Sequence, residues 1–271
     1  MSPKPFEAWA LISLAINIVL VLLFVLLLKR SSLAVLSYAT TKPLNLVKQT
    51  LAVIPGSGLR PLPPNYQQRL SVLRREADNA AKTRPKHLTI LLGNSITDFF
   101  PPEMLPPGRS WLNQGIAGDT TAGVLERLQL FDCTQPETIF VLIGTNDLTQ
   151  GVDDATILAN QQKIVDYLKQ AHPNSQIVIQ SILPRKDEPK LPGSDHKYGR
   201  IQKLNQQLLA TAKASRVHYL NLYPLFANTQ GSILPELTTD GLHLSSQGYL
   251  VWRSALQLYS QLELEPTANS R

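Results

Sequence analysis

From residue 87 onward, short apolar runs alternate with longer stretches in which apolar residues recur at helical spacing. Short apolar runs bounded by turn residues are typical of buried strands, whereas apolar residues three and four positions apart are typical of helices. The pattern predicts five strands with four main helices between them. The strands are expected at residues 88–93, 111–113, 138–143, 177–181 and 217–222, and the helices at 120–130, 154–170, 196–214 and 246–262.

Strands that alternate with helices form a parallel sheet covered on both faces, because each crossover has to pass over the sheet. We therefore predict an α/β domain over residues 87–262, with three α/β/α layers and a five-stranded parallel sheet in a flavodoxin-like strand order. In such a fold, the loops that follow the strands meet at the carboxyl edge of the sheet. Residues that are distant in sequence are then brought to one site.

The N-terminal segment has a different pattern. Residues 8–28 are apolar except for Ser13 and Asn17, and a helix of this length, at about 1.5 Å per residue, crosses the hydrocarbon layer of a bilayer. The segment predicts one transmembrane helix, preceded by a tail of residues 1–7, that anchors the chain in a membrane. A cleaved signal peptide is the alternative, but its apolar region is usually only about 7 to 15 residues long.

Residues 29–86 are expected to connect this helix to the α/β domain. Proline and glycine mark them as a linker, and a short helix at 65–82, with Leu70 and Leu73 on one face, is expected to pack on the domain or on the bilayer. The connector has 11 Lys or Arg against two acidic residues, a surplus of +9, whereas residues 87–271 have 14 against 17. The net charge of +6 therefore resides in the connector, and we expect no nucleic-acid partner. Residues 263–271 are expected to form a C-terminal tail.

The charges that flank the apolar segment bear on its orientation. Four Lys or Arg residues follow it between positions 29 and 48, whereas Lys4 alone precedes it and is offset by Glu7. The positive-inside rule favours a cytoplasmic α/β domain, but the short tail leaves the side of the membrane open. The connector either lies against anionic lipid headgroups or is a solvated linker.

Composition narrows the chemistry further. The chain is 43% hydrophobic and 17% charged, enough for one sizeable α/β core and an appendage. Cys133 is the single cysteine, so the chain forms no internal disulfide. No group of Cys and His residues has the spacing of a zinc site, and we expect neither a metal nor a cofactor.

The strongest chemical signal joins the two ends of the α/β domain. Ser95 follows the first predicted strand, and Asp240 and His243 stand three positions apart before the last predicted helix. A serine hydroxyl is a poor nucleophile at neutral pH unless a base accepts its proton and a third group orients that base. Ser95, His243 and Asp240 supply these three parts. The chain lacks the G-x-S-x-G motif of the α/β-hydrolases, which removes the commonest rival scaffold.

Four blocks carry a resemblance to a known family. They are residues 93–95 (GNS), 113–121 (NQGIAGDTT), 143–147 (IGTND) and 240–243 (DGLH). In this order and spacing they resemble the SGNH (GDSL-type) hydrolase superfamily. Within it, the second block with residues 125–128 (LERL) is most similar to the catalytic subunits of platelet-activating-factor acetylhydrolase. The resemblance covers about residues 87–262.

The resemblance implies further site residues. It implies an oxyanion hole formed by the backbone N–H groups of Ser95 and Gly115 and by the side-chain amide of Asn146. It also implies a small acyl pocket shaped by Ile96, Thr145 and Leu242. The family's first block usually reads Gly-Asp-Ser, whereas this chain has Asn94 before the serine. Asn94 is not a member of the triad, so activity is expected to survive, with loop rigidity and pH dependence in question. Asp147, after Asn146, is expected to order its loop rather than to act in catalysis.

These observations predict a serine esterase that hydrolyses short-acyl carboxylic esters, on a small molecule or a lipid, through an acyl-enzyme on Ser95. Two alternatives remain open: a lysophospholipase or thioesterase that acts on membrane lipids, and a membrane-tethered binding module without catalysis. Acyl transfer to an alcohol instead of water also remains open, because both reactions share the acyl-enzyme. A homodimer is a further open alternative.

Overall fold

The computed structural model describes residues 66–186 and 199–264. Its centre is a sheet of five parallel strands in the order β2-β1-β3-β4-β5, which confirms the predicted parallel sheet and its flavodoxin-like order. The strands are β1 (Leu88–Gly93), β2 (Ser110–Gly115), β3 (Thr138–Leu142), β4 (Gln176–Gln180) and β5 (His218–Leu220). Strands β1 and β3 are buried throughout, as expected for the interior of a sheet covered on both faces.

The helices form a layer on each face of this sheet. They are α1 (Tyr66–Thr83), α2 (Ser95–Asp98), α3 (Thr121–Glu126), α4 (Thr145–Thr149), α5 (Asp154–Ala171), α6 (Arg200–Ser215), α7 (Tyr223–Phe226) and α8 (Ser246–Tyr259), and a single π-helical turn, Ser260–Leu264, follows α8. Alternate residues of β1 show the two sides: Ile90 packs with α1 and α5, whereas Leu91 packs with α8. The three-layer α/β/α architecture is therefore confirmed.

Helix α1 lies where the short connector helix is predicted, and it packs on the sheet. Leu73, Ala77 and Ala80 are buried in the same cluster as Ile90 and Leu112. Of the two expected packing partners, the α/β domain is thus the one observed.

Two predicted helix bounds are wrong. The helix expected to run from 120 to 130 ends at Glu126 and resumes as a 3-10 turn, Leu128–Phe131, because Arg127 has φ −125° and ψ 8° and turns its side chain into the interior. Helix α6 begins at Arg200 after an extended Gly199, later than the expected start at 196, although residues 196–198 lie outside the described residues.

The predicted transmembrane helix at 8–28, the tail at 1–7, the connector up to residue 65 and residues 265–271 lie outside the described residues. Among the residues that the structure does describe, no helix is both long and apolar enough to cross a bilayer.

His172 ends α5 in an apolar setting. Its ring is 5% exposed and stacks on Phe131 with 5.5 Å between the ring centroids. Its Nε2 atom has no hydrogen-bond partner within 66–186 and 199–264. Burial lowers the pKa of His172, and the charge of Asp132 opposes this only in part. The structure therefore holds the ring neutral.

This burial predicts a pH-dependent stability. The pKa of His172 in the folded protein lies below its unfolded value of about 6.5, so the unfolded chain binds the proton more readily. The stability that depends on the neutral ring is therefore complete above that pH, and the unfolding free energy decreases as the pH falls below it. Urea unfolding of the protein should therefore show a smaller fall in unfolding free energy from about pH 7.5 to 5 for His172→Phe than for wild type. His218→Phe, at a half-buried site on β5, is the matched control. Equal pH slopes for wild type and His172→Phe would contradict this interpretation.

Candidate active site

Ser95 is held in a tight turn between β1 and α2. A Cβ atom at Gly93 would lie 2.3 Å from Thr97 Oγ1 and 2.4 Å from the Leu142 carbonyl oxygen, so only glycine fits there. Asn94 caps α2, because its Oδ1 accepts a hydrogen bond from the Ile96 N–H at 3.1 Å. The amide oxygen of Asn94 therefore performs this capping at the position where the family that the chain resembles usually has an aspartate. Ser95 begins α2 and is 6% exposed.

The structure brings the imidazole of His243 to Ser95 and the carboxylate of Asp240 to His243, the order in which the sequence analysis combines them. Ser95 Oγ lies 3.0 Å from His243 Nε2, and His243 Nδ1 lies 2.6 Å from Asp240 Oδ2. The other carboxylate oxygen, Asp240 Oδ1, accepts hydrogen bonds from the backbone N–H groups of Leu242 at 2.9 Å and His243 at 2.7 Å. We assign the proton to Nδ1, because an ionised Asp240 needs a donor there, and this leaves Nε2 to accept from Ser95.

The pKa of Asp240 supports this assignment. Burial acts to raise it, but the hydrogen bonds from the His243 ring and from the backbone N–H groups of His243 and Leu242 outweigh burial. The pKa of Asp240 consequently lies below the usual value for an aspartate. The carboxylate is therefore ionised near neutral pH and orients the imidazole.

The His243 loop is fixed on both sides. Gly241 has φ +90°, a backbone conformation that favours glycine, and its carbonyl oxygen accepts a hydrogen bond from the Lys186 N–H at 2.8 Å. After the loop, Ser245 caps α8 through a hydrogen bond from the Gly248 N–H to its Oγ. Tyr249 of α8 then donates to the Ile96 carbonyl oxygen of α2 at 2.9 Å. This bond ties the helix that follows His243 to the helix that begins with Ser95.

The three predicted oxyanion donors differ in their hydrogen-bond partners. The Ser95 N–H has no acceptor among the described residues. The Gly115 N–H, in contrast, donates to Asn113 Oδ1 at 2.9 Å. Asn146 Nδ2 donates to the Asp119 carbonyl oxygen at 2.8 Å, and because an amide nitrogen carries two protons, one remains for a ligand. A substrate oxygen would have to share the Gly115 N–H with Asn113 or displace it.

The sequence alone assigns no role to Asn113. Its place two residues before Gly115 is the sequence signal for a side-chain bond to that backbone. Asn113 stands two residues before Gly115, so its side chain can return to the backbone of its own strand, as asparagine often does. Its Nδ2 also donates to the Thr97 carbonyl oxygen of α2 at 2.7 Å. Asn113 thus links the nucleophile helix to the Gly115 backbone.

Asp147 orders the loop around α4, as expected. The side chain is 1% exposed, and it accepts hydrogen bonds from the Thr121 N–H and, at 2.5 Å, from Thr121 Oγ1. These bonds tie the start of α3 to α4. Asp147 makes no hydrogen bond to Ser95 or His243 among those of the described residues.

The three predicted acyl-pocket residues differ in exposure. Ile96 is 1% exposed and belongs to the hydrophobic cluster beneath α8, Thr145 is buried, and Leu242 is half-buried. A cavity of about 460 Å³ lies elsewhere, between α1, the 3-10 turn Pro102–Met104 and the edge strand β2, and Asn113 lines one end of it. None of the three predicted pocket residues lines this cavity.

No group of three or more His, Cys, Asp or Glu side chains within 66–186 and 199–264 has the geometry of a metal site.

Curated proteins resemble this chain in sequence. The chain is 31% identical over 140 residues to platelet-activating factor acetylhydrolase IB subunit alpha1 of Bos taurus, an alignment that covers 51% of this chain and 58% of that protein. The chain therefore spans little more than half the length of the curated relatives that it matches.

Solved structures show the same fold. A Streptococcus pneumonia protein provisionally described as a platelet activating factor is 26% identical, with a TM-score of 0.61 over 71% of this chain and 93% of that one. A GDSL-like lipase from Bacteroides thetaiotaomicron is 22% identical, with a TM-score of 0.57 over 71% of this chain and 98% of that one, a likeness of fold.

A family model gives the assignment. The model of the GDSL-like lipase/acylhydrolase family matches residues 91–251, which include Ser95, Asp240 and His243. The matched segment is more than half of the 271-residue chain. The chain belongs to the GDSL-like lipase/acylhydrolase family.

Proposed function

We propose that this chain is a serine esterase that hydrolyses short-acyl carboxylic esters through an acyl-enzyme on Ser95. The observation that carries the proposal is the continuous hydrogen-bonded path from Ser95 Oγ to His243 at 3.0 Å and from His243 to Asp240 at 2.6 Å. Hydrogen-bond distances from nucleophile to base and from base to an orienting carboxylate are the geometric requirement for serine catalysis. Membership of an acylhydrolase family agrees with this reaction.

In the proposed reaction, Ser95 Oγ attacks the ester carbonyl carbon while its proton passes to His243 Nε2. The carbonyl oxygen becomes an oxyanion, which the Ser95 N–H and the second amide proton of Asn146 would stabilise. The Gly115 N–H would be the third donor after its hydrogen bond to Asn113 breaks. The tetrahedral intermediate then collapses: the carbon–oxygen bond to the alcohol breaks, the protonated imidazole gives its proton to the leaving oxygen, and the acyl group stays on Ser95. Water, activated by the same imidazole, attacks the acyl carbon and releases the acid and free Ser95. An acceptor alcohol in place of water would give acyl transfer.

The preference for short acyl groups is part of the proposal. Ser95 is nearly buried, and the side chains next to it in sequence and in the loops are packed: Ile96 in the core, and Thr145 at the start of α4. Branched side chains in these positions favour an acetyl group over a long chain. The curated relatives are acetylhydrolases by name, which agrees with a small acyl group. A lysophospholipase or thioesterase would instead need room for a long acyl chain.

We also propose that residues 8–28 anchor the protein in a membrane, with the α/β domain on the cytoplasmic side. The length and apolar character of this segment support a membrane span, and the positive residues between positions 29 and 48 support the orientation. An anchored esterase would meet esters at the lipid surface. No partner chain is needed for the Ser95, His243 and Asp240 contacts, which all lie within one chain.

The esterase proposal predicts how activity depends on acyl length and on Ser95. Hydrolysis of p-nitrophenyl esters from acetate to dodecanoate should be fastest at acetate or propionate, because the proposal places the branched side chains of Ile96 and Thr145 beside the acyl group. Ser95→Ala should abolish both hydrolysis and labelling by a fluorophosphonate, whereas Ser254→Ala, an exposed serine on α8, should change neither. A maximum at octanoate or longer would support the lysophospholipase alternative. Labelling that persists in Ser95→Ala would contradict the proposed nucleophile.

The orienting role of Asp240 gives a second prediction. Asp240→Asn should lower kcat by roughly 10³-fold or more, because an amide does not hold the Nδ1 proton as a carboxylate does. Since the pKa of Asp240 lies below its usual value, the carboxylate is charged above about pH 5, and the deficit should be present at pH 7 to 8. Asp153→Asn, at the exposed cap of α5, is the matched control. A deficit below tenfold, with folding intact, would show that Asp240 does not orient His243.

Membrane anchoring is tested by flotation and by thiol labelling. The full chain should float with neutral and with anionic vesicles, and deletion of residues 8–28 should abolish flotation with neutral vesicles. Cys133 is exposed and is the single cysteine, so a membrane-impermeant maleimide should label it only after lysis if the domain is cytoplasmic. Unchanged flotation after the deletion would contradict the anchor, and labelling of intact cells would contradict the orientation.

A further inference from the structure

Arg127 is a buried cation that bonds to the ends of two strands. Its side chain is 2% exposed and interrupts the helical run after α3. Nη1 donates to the Gln114 carbonyl oxygen at 2.9 Å and Nη2 donates to the Gly93 carbonyl oxygen at 3.0 Å. Nε donates to Asp119 Oδ2 at 2.6 Å. One guanidinium therefore joins the last residues of β1 and β2 to the loop that follows β2.

The bond to Gln114 acts directly on a predicted oxyanion donor. The Gln114 carbonyl and the Gly115 N–H belong to the same planar peptide unit, so fixing the oxygen also fixes the direction of the N–H. The positively charged guanidinium that bonds to the carbonyl oxygen also polarises the peptide unit, which makes its N–H a stronger donor. Close packing adds to this restraint, because a Cβ atom at Gly115 would lie 2.3 Å from the Asp98 nitrogen.

Asp119, the residue that pairs with Arg127, also bonds to Asn146, the side-chain donor of the predicted oxyanion hole. Asp119 forms the ion pair with Arg127, and its backbone carbonyl oxygen accepts the 2.8 Å hydrogen bond from Asn146 Nδ2. The Asp119 side chain also accepts a 3.1 Å hydrogen bond from the hydroxyl of Tyr66 on α1. Burial, followed by the Asp119 charge, raises the pKa of Tyr66 to about 12, so the hydroxyl is protonated and donates.

A second arginine supports the same loop from α1. Arg69 Nε donates to the Gly115 carbonyl oxygen at 3.3 Å, and Arg69 Nη2 forms an ion pair with Asp98 of α2 at 2.8 Å. The two peptide units on either side of Gly115 are therefore each held by a guanidinium. Tyr66 and Arg69 both precede residues 91–251, the part that matches the family model.

We propose that the Arg127–Asp119 ion pair, braced by Tyr66 and Arg69 of α1, is a positioning device for the oxyanion hole. It aligns and polarises the Gly115 N–H through the Gln114 carbonyl, and it places Asn146 through the Asp119 carbonyl. The role rests on the proposed esterase function. Arg127 touches neither Ser95 nor His243 in the described structure, so it acts through other groups and not on the substrate. Helix α1 is accordingly a functional part of the catalytic unit.

Arg127→Lys tests the device, because it keeps the positive charge and removes the fork that reaches three acceptors. With p-nitrophenyl acetate, kcat per fluorophosphonate-titrated site should fall at least about tenfold, with KM nearly unchanged, because an oxyanion hole acts on the transition state. Affinity for a boronic acid, which forms an anionic tetrahedral adduct, should fall in parallel. Titration of sites removes the effect of unfolded protein from kcat.

Arg200→Lys is the matched control. Arg200 Nε pairs with Asp154 at 2.8 Å and Nη2 donates to the Val152 carbonyl oxygen at 2.6 Å, between α5 and α6. The same substitution there should leave kcat per site and boronate affinity unchanged. Values for Arg127→Lys that equal those of Arg200→Lys would overturn the positioning role.

Tyr66→Phe provides a second test if Arg127→Lys does not fold. It removes one hydroxyl bond to Asp119 and should lower kcat per site by roughly two- to fivefold, with boronate affinity following. Tyr167→Phe, which removes a comparable 2.8 Å bond to Asp132, should have no effect. No effect in either variant would overturn the proposal. A wild-type chain that neither hydrolyses esters nor reacts with fluorophosphonate would overturn the esterase function as well. Failure of the positioning role alone would instead leave wild-type hydrolysis and labelling intact.

Discussion

The parallel pairing of β1 between β2 and β3 is the constraint on which the site depends. Gly93 is in register with Gly115 on one side and with Leu142 on the other. The chain leaves all three strands at the same edge, so Ser95, the Gly115 backbone and Asn146 emerge within a few residues of that edge. A shift in register of one residue would turn the strand side chains to the opposite faces and misplace these groups. The buried β1 and β3 hold that register.

The imidazole arrives from the far end of the chain and depends on tertiary packing. Helix α8 packs on the sheet through Trp252, which is fully buried and donates to Gln180 Oε1 of β4 at 2.8 Å. Tyr249, on the same helix, bonds to α2. Hydrophobic packing therefore places the loop before α8, and short polar contacts set the final orientation of His243. The Arg127–Asp119 pair likewise fixes the ends of β1 and β2, because Arg127 bonds to a carbonyl oxygen at the end of each strand.

Much of this arrangement follows from local sequence patterns. The alternation of strands and helices predicts the sheet and its order. Ser95 after the first strand, and Asp240 and His243 before the last helix, are recognisable because serine catalysis needs those residue types together. The break at Arg127 was not predictable, because residues 120–130 have helical periodicity and the side chain leaves that pattern only to reach buried carbonyl oxygens. The bond of Asn113 to the Gly115 N–H depends on side-chain rotamers, which a periodicity does not encode. The contacts of Tyr66 and Arg69 join residues about 50 positions apart, and no local signal marks them.

The proposed catalysis requires a covalent acyl-enzyme on Ser95, and rapid-quench mass spectrometry observes that species directly. The full-length protein is mixed with p-nitrophenyl acetate, quenched in acid within the first turnover, digested and mapped by peptide mass. One acetyl group is expected on the peptide that contains Ser95, at a stoichiometry that matches the burst of p-nitrophenol, and none when His243 is replaced by Ala. Acetyl groups on another residue, or a burst without acetylation of Ser95, would contradict Ser95 as the nucleophile.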